Sequence, residues 1–182
     1  MDFQRFILLD RDGVINEDSP HYIRSPAEWI PIPGSLEAIA TFTQKRIGVV
    51  ILTNQSTIGR GFMTESDLDS IHQCMRHAVE QAGGRIAAIY HCPHTPEAGC
   101  DCRKPKPGLF LRFAQDFGVP LDGIPAIGDS LRDLEAALHS GARPVLVLTG
   151  HGQETRAALA RSTLEGIEIQ PDLAAFAASL GI

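Results

Sequence analysis

Five short runs in this chain are apolar from end to end, and each stops abruptly at polar residues: 6–9, 47–52, 86–90, 123–127 and 145–148. A strand wetted on one side alternates apolar and polar residues. A run without alternation suits a strand covered on both faces, as in a parallel sheet. Helix-period segments lie between the runs. Residues 34–44 follow Pro33 at a first-turn position, and 66–82 stop at Gly83 and Gly84. Residues 109–117 end at Gly118, and 131–139 end at Gly141. This alternation predicts an α/β fold with a doubly wound, mostly parallel sheet. The chain has 182 residues and shows no repeat, low-complexity tract or linker, so residues 1–182 read as a single domain.

The longest apolar stretches, such as Val49, Val50, Ile51 and Leu52, are far too short to span a bilayer. Met1, Asp2, Phe3, Gln4 and Arg5 do not form a signal-peptide n-region, so a cytoplasmic protein is expected. The formal charge is 16 − 22 = −6, which disfavours a broad basic face for nucleic acid. Of three lysines, Lys104 and Lys106 cluster beside Arg103, a concentration that suits a small anionic partner. The expectation is a small-molecule ligand, no nucleic acid and no membrane. Nothing in the sequence requires more than a monomer.

Asp10, Thr53 and Asp129 each fall just past a predicted strand, the edge where open α/β sheets bind ligands. Three residues far apart in sequence should therefore meet. A carboxylate at Asp10 can attack phosphorus, and Asp12, two residues on, can act as general acid and then base. Two carboxylates this close call for a cation; Mg²⁺ with oxygen ligands fits, with Asp129 completing the site. Thr53 and Asn54 offer a hydroxyl and an amide to phosphate oxygens, and Gln55 and Ser56 continue the same candidate contact segment. Each motif alone also reads as a solvated turn or a helix cap. Together, with Lys104 for the transferring charge, they read as a phosphoryl-transfer site.

The run Asp10-Arg11-Asp12-Gly13-Val14-Ile15-Asn16 resembles the first motif of the haloacid dehalogenase-like (HAD) superfamily of phosphohydrolases. Thr53, Lys104 and Gly128-Asp129 match its other three motifs in order, and the resemblance runs from about Phe6 to Leu148. It implies an aspartyl-phosphate on Asp10, acid/base work by Asp12, and phosphoryl oxygens held by Thr53 and Lys104. It also implies Mg²⁺ between the Asp10 carboxylate, the Asp12 carbonyl and the Asp129 carboxylate, with Asp133 a partner of the metal or the lysine. Residues 16–34 and 84–103 leave no room for a cap domain, so a capless member is expected.

Cys92, His94, Cys100 and Cys102 lie within eleven residues. Three thiolates and an imidazole suit a closed, structural Zn²⁺ site, and the loop 92–102 is read as one. Disulfides are the alternative, disfavoured by an odd set of three in a cytosolic protein. The cluster and the following Arg103, Lys104 and Pro105 resemble the zinc loop of heptose 1,7-bisphosphate 7-phosphatases and of the related histidinol-phosphate phosphatases. That resemblance implies hydrolysis of a small sugar bisphosphate, with histidinol phosphate as the alternative. A non-catalytic phosphate- or zinc-binding scaffold is the reading from another class. Zinc at Cys102 would fix the backbone before Arg103 and Lys104, so one metal is expected to hold both cations, with Arg103 on a second anionic group. The same resemblance implies that Asp18 and His21 belong to a substrate-contacting loop, with a plain surface loop as the alternative. Cys74, Trp29, His72 and His77 read as structural, and Gly59-Arg60-Gly61 as a flexible turn.

Overall fold

The computed structural model describes residue 3, residues 5–162 and residues 164–181. Of the opening residues expected not to form a signal-peptide n-region, Met1, Asp2 and Gln4 lie outside the described residues. Strands β1 (Arg5–Leu9), β2 (Ile47–Asn54), β3 (Ile86–Cys92), β4 (Pro125–Gly128), β5 (Arg143–Val147) and β6 (Glu168–Gln170) form one sheet. Their order is β3-β2-β1-β4-β5-β6, and every pairing is parallel.

Helices α1 (Ser35–Gln44), α3 (Glu65–Gln81) and α7 (Leu173–Ser179) cover one face of the sheet, and α4 (Gly108–Phe117) and α5 (Leu131–Ser140) the other; the single turn α2 (Ser56–Gly59) follows β2. Ile7, Leu9, Val49 and Ile51 pack with Ile39, Phe42, Leu68, Ile71, Met75 and Phe176. Their chain neighbours Phe6, Leu8, Val50 and Leu52 point the opposite way, onto Leu109, Phe110, Phe113 and Ala137. Period-two geometry thus sends alternate residues into two cores, which is why the runs show no polar alternation. Each such buried side chain contributes about 1.5–3 kcal/mol.

The expected α/β class is observed, with two local differences. β2 and β3 run on to Asn54 and Cys92, because Thr53 pairs with His91 and Asn54 with Cys92 in register. Thr53 therefore stands on a strand end rather than in a turn. The last part of the chain adds α6 (Gly152–Leu159), β6 and α7, which the sequence reading did not place. β6 is a three-residue edge strand carrying Glu168 and Gln170, so it has no apolar signature. α7 is short and buries only Leu173, Phe176 and Ala177, anchored by the Asp172 side chain accepting from Ala175 N at 2.7 Å.

Two long excursions leave the carboxyl edge of the sheet. Residues 10–34 carry one 3-10 turn, Pro26–Glu28, and residues 93–107 carry another, Pro96–Ala98. Neither builds a folded cap, as expected. Among the described residues no helix is long and apolar enough to cross a membrane. β1 lies between β2 and β4, and the strand order departs from it in both directions. The crevice beyond the carboxyl ends of β1 and β4 is where such sheets bind ligands.

Candidate active site

Asp10 leaves β1 into that crevice, its N–H donating to Ile127 O of β4 at 2.9 Å. Its Oδ1 accepts from Arg11 N at 2.8 Å and stands 3.0 Å from Lys104 Nζ. The same ammonium donates to Leu52 O at 2.7 Å and pairs with Asp133 Oδ1. Burial works against the Lys104 charge, but Asp10 and Asp133 outweigh it and hold the ammonium above its ordinary range. Burial raises Asp10 to about 6 against the pull of Lys104, with Asp133 and Asp12 adding to the rise. Asp133 is held low because Lys104 outweighs its burial; its Oδ2 accepts from Ser130 N at 3.1 Å and from the Ser130 hydroxyl. A residue expected to partner metal or lysine thus partners the lysine and closes the first turn of α5.

The Asp12 carboxylate accepts four hydrogen bonds. Arg11 gives two, Nε at 2.9 Å and Nη2 at 2.8 Å; Asn16 Nδ2 gives one at 2.9 Å and Gln55 Nε2 one at 3.1 Å. Trp29 is buried, as read from sequence, and its Nε1 donates to Asn16 Oδ1 at 2.9 Å, locking that amide's orientation. Gln55 Nε2 also donates to Thr53 Oγ1 at 2.9 Å. A hydroxyl that accepts there keeps its own proton for another acceptor in the cleft.

Asp129 follows β4 and is almost fully buried. Its Oδ2 accepts from His151 N at 2.8 Å, while Oδ1 has no partner among the described residues. Burial, then Asp133 and Asp10, raise this carboxyl to about 7. Two glycines in the left-handed region wrap it. A Cβ at Gly13 (φ +81°) would fall 2.1 Å from Asp129 Oδ2, and one at Gly150 (φ +55°) 2.2 Å away. Carboxylate oxygens of Asp10, Asp129 and Asp133 lie within 4.8 Å of one another. The orphaned Asp129 oxygen, the raised carboxyls of Asp10 and Asp129, and hard oxygen donors fit a divalent cation such as Mg²⁺.

Cys92 ends β3, and His94, Cys100 and Cys102 fold back onto it. The neighbouring donor atoms stand 3.2–3.6 Å apart. Donors bound to one zinc at about 2.3 Å would sit slightly farther apart, near 3.8 Å. The four cysteines are free of disulfides. Burial pushes the Cys92 thiol up to about 12, so a thiolate there needs a cation. The set fits zinc.

A cleft of about 600 Å³ opens above Asp10 and Asp12. Thr53, Asn54, Gln55, Ser56, Asp18 and Arg103 line it. Lys104 and Asp129 are buried and do not line it. His21 is exposed and does not line the cleft, although its neighbours Pro20 and Tyr22 do. Asn54 uses both ends of its amide on the Lys104 backbone. Gly59 is no free turn: its N–H donates to Pro93 O at 2.9 Å, against the Cys/His loop. Cys74 is half-buried against the core, and His72 is buried with its pKa lowered to about 3, chiefly by burial and then by Arg11.

Arg132 and His151 also line the cleft, beyond the residues expected from sequence. His151 Nε2 stands 2.9 Å from Asp18 Oδ2, and Asp129 and Asp18 raise its pKa against its burial. Both follow the carboxyl ends of strands, β4 and β5, and the positional rule that found Asp10 could have found them.

The HAD-hydrolase-like family profile matches residues 101–176. The chain is 50% identical over 177 residues to the D-glycero-beta-D-manno-heptose-1,7-bisphosphate 7-phosphatase of Bordetella bronchiseptica, covering 97% of each. It is 48% identical over 174 residues to the protein of that name from Pseudomonas aeruginosa, covering 96% of each. A crystal structure of the Bordetella D,D-heptose 1,7-bisphosphate phosphatase, complexed with magnesium and phosphate, matches at a TM-score of 0.93 and 49% identity, over 97% of this chain and 98% of that one. The Burkholderia thailandensis phosphatase matches at a TM-score of 0.75 and 39% identity, over 97% and 98% of the two chains. The chain belongs to the heptose 1,7-bisphosphate 7-phosphatase family of HAD-like phosphohydrolases.

Proposed function

We propose that this chain removes the 7-phosphate of D-glycero-β-D-manno-heptose 1,7-bisphosphate, acting as one domain through an aspartyl-phosphate on Asp10. The observation that carries the reading is Asp10, in a cleft that Arg103 and Arg132 also line, paired at 3.0 Å with the buried Lys104. The β anomer is chosen because relatives at about half identity carry it in their names.

Asp10 attacks phosphorus, the bond to the sugar oxygen breaks, and Asp12 protonates the leaving alkoxide. Asp12 then takes a proton from water, which attacks phosphorus and releases Asp10. Lys104 and the Thr53 hydroxyl hold the phosphoryl oxygens, and Arg103 and Arg132 meet the second phosphate. Asp10, the Asp12 carbonyl and Asp129 would hold Mg²⁺, which when bound would supply charge for the phosphoryl oxygens. Cys92, His94, Cys100 and Cys102 would hold Zn²⁺ in a structural role.

Glu17 and Asp18 also line the cleft, which favours histidinol phosphate, whose amine they would meet, as the second reading. The test is phosphate release from both heptose anomers and from histidinol phosphate, with Mg²⁺ or with EDTA, beside an Asp10→Asn variant. Mg²⁺-dependent release preferring the β-heptose and lost in the variant is expected. Preference for histidinol phosphate overturns the substrate, and activity in Asp10→Asn overturns the mechanism.

A further inference from the structure

Arg103 and Lys104 are adjacent in sequence but anchored to different parts of the molecule. Asn54 Nδ2 donates to Lys104 O at 3.1 Å, and Lys104 N donates to Asn54 Oδ1 at 3.1 Å. The amide thus grips one peptide segment at both its acceptor and its donor, across 50 residues of sequence. Asn54 is the last residue of β2, paired in register with Cys92, so the grip is built on the rigid sheet. The Lys104 side chain is buried, with Leu52 O, Asp10 and Asp133 around its ammonium. Arg103 is held by another group: its Nη1 donates to His94 O at 3.2 Å, inside the Cys/His loop. Lys106 is tied to the same loop, at Gly99 O and Asp101 Oδ1, each 3.1 Å away.

We propose that Asn54 is the positioning residue for Lys104, and that the metal loop positions Arg103 and not the lysine. This departs from the expectation that one metal holds both cations. It rests on the phosphatase reading above and divides that site into two separately anchored halves. Lys104 serves the transferring phosphoryl group, so losing its anchor lowers kcat for any ester. Arg103 serves the second anion, so losing its anchor raises KM only for substrates that carry one. Asn54 also lines the cleft, and the rival role is direct contact with substrate.

The test compares Asn54→Ala, Asn54→Asp and Cys100→Ser with the parent on p-nitrophenyl phosphate and on heptose 1,7-bisphosphate, with zinc content and thermal unfolding measured alongside. Asn54→Ala should lower kcat about 30- to 100-fold and by the same factor on both esters, since a misplacement near 1 Å costs about that much. Its KM should move less than about threefold, as expected for a loss confined to the transition state, with zinc content at the parent level. Asn54→Asp keeps the acceptor for Lys104 N and should recover part of the loss, which also keeps the test readable if the alanine variant fails to fold. Cys100→Ser should lose zinc and raise the ratio of KM for the bisphosphate to KM for the nitrophenyl ester by about tenfold, the order of one charge-assisted contact.

A rise in KM with kcat intact in Asn54→Ala overturns the proposal in favour of substrate contact. Loss of zinc from that variant, or an equal fall in kcat on the nitrophenyl ester in Cys100→Ser, also overturns it. If the parent cleaves the nitrophenyl ester but not the bisphosphate, the substrate reading fails, and the Asn54 comparison is decided on the nitrophenyl ester alone.

Discussion

Arg11 closes its guanidinium fork on the residue next to it, with Nε 2.9 Å and Nη2 2.8 Å from the two oxygens of Asp12. The arginine side chain is 1% exposed and the carboxylate 22%, so a buried fork presents a partly open acid to the cleft. A bidentate grip fixes the plane of the carboxylate as well as its position. Arg11→Met leaves Asp12 on Asn16 and Gln55 alone and should cost about 3 kcal/mol, as for other half-broken buried pairs. Arg11→Lys restores the charge but not the fork and should recover stability better than turnover. Urea unfolding and steady-state kinetics on the same preparations measure both effects, and equal recovery would count against a geometric role.

Asp10→Asn should abolish phosphate release, by about 10³-fold or more for a lost nucleophile, while stabilising the fold at neutral pH. Burial raises Asp10 from 3.8 to about 6 and Asp129 to about 7, so the folded protein binds these protons more tightly than the unfolded chain does. Stability from these two groups is therefore present at low pH and declines as pH rises from about 4 through about 7. In metal-free protein the Tm advantage of Asp10→Asn should be largest near pH 7.5 and shrink toward pH 5. Added Mg²⁺ should raise the parent's Tm more at pH 7.5 than at pH 5, because cation and proton compete for the same oxygens. A parent Tm that responds equally to Mg²⁺ at both pH values would contradict this.

Gly13→Ala places a methyl group against Asp129 at a backbone angle of φ +81°. The strained backbone alone costs about 1–3 kcal/mol, and the clash displaces the carboxylate that would hold the cation. The expected result is a lower Tm together with at least about tenfold weaker Mg²⁺ activation, since displacing a partner of the ligand shell costs 10- to 100-fold in metal affinity. A Mg²⁺ titration of activity checks it; an unchanged half-saturation point would show that Asp129 does not hold the ion.

Much of the site was legible because strand ends converge. Asp10, Thr53 and Asp129 could be placed together from three apolar runs and one rule about sheet edges. Cys92, His94, Cys100 and Cys102 were legible from their ligand chemistry and their nearness in sequence, although their spacing is tighter than that of ordinary zinc sites. The amide of Asn54 was not: its type and place suit a phosphate contact, and only the return of the loop at Lys104 shows that a backbone occupies it. Asp133 shows the same limit, since its spacing from Ser130 reads as a helix cap while its other oxygen pairs with Lys104. His151 stands past the end of β5, where the rule about sheet edges reaches it, but its hold on Asp129 is a backbone N–H, which no residue type encodes. At the end of the chain, β6 lacks an apolar run because it is a short edge.

The excursion between Cys92 and Lys104 leaves one strand end and comes home to its neighbour. Both feet of this arch stand on the sheet, so its span is set by the spacing of adjacent strands, whatever its contour length. Lengthening such an arch is cheap, about 0.6 kcal/mol for each doubling. Descendants of this chain can therefore rewrite the middle of the arch, between His94 and Cys100, while Lys104 returns to the same place beside Asp10.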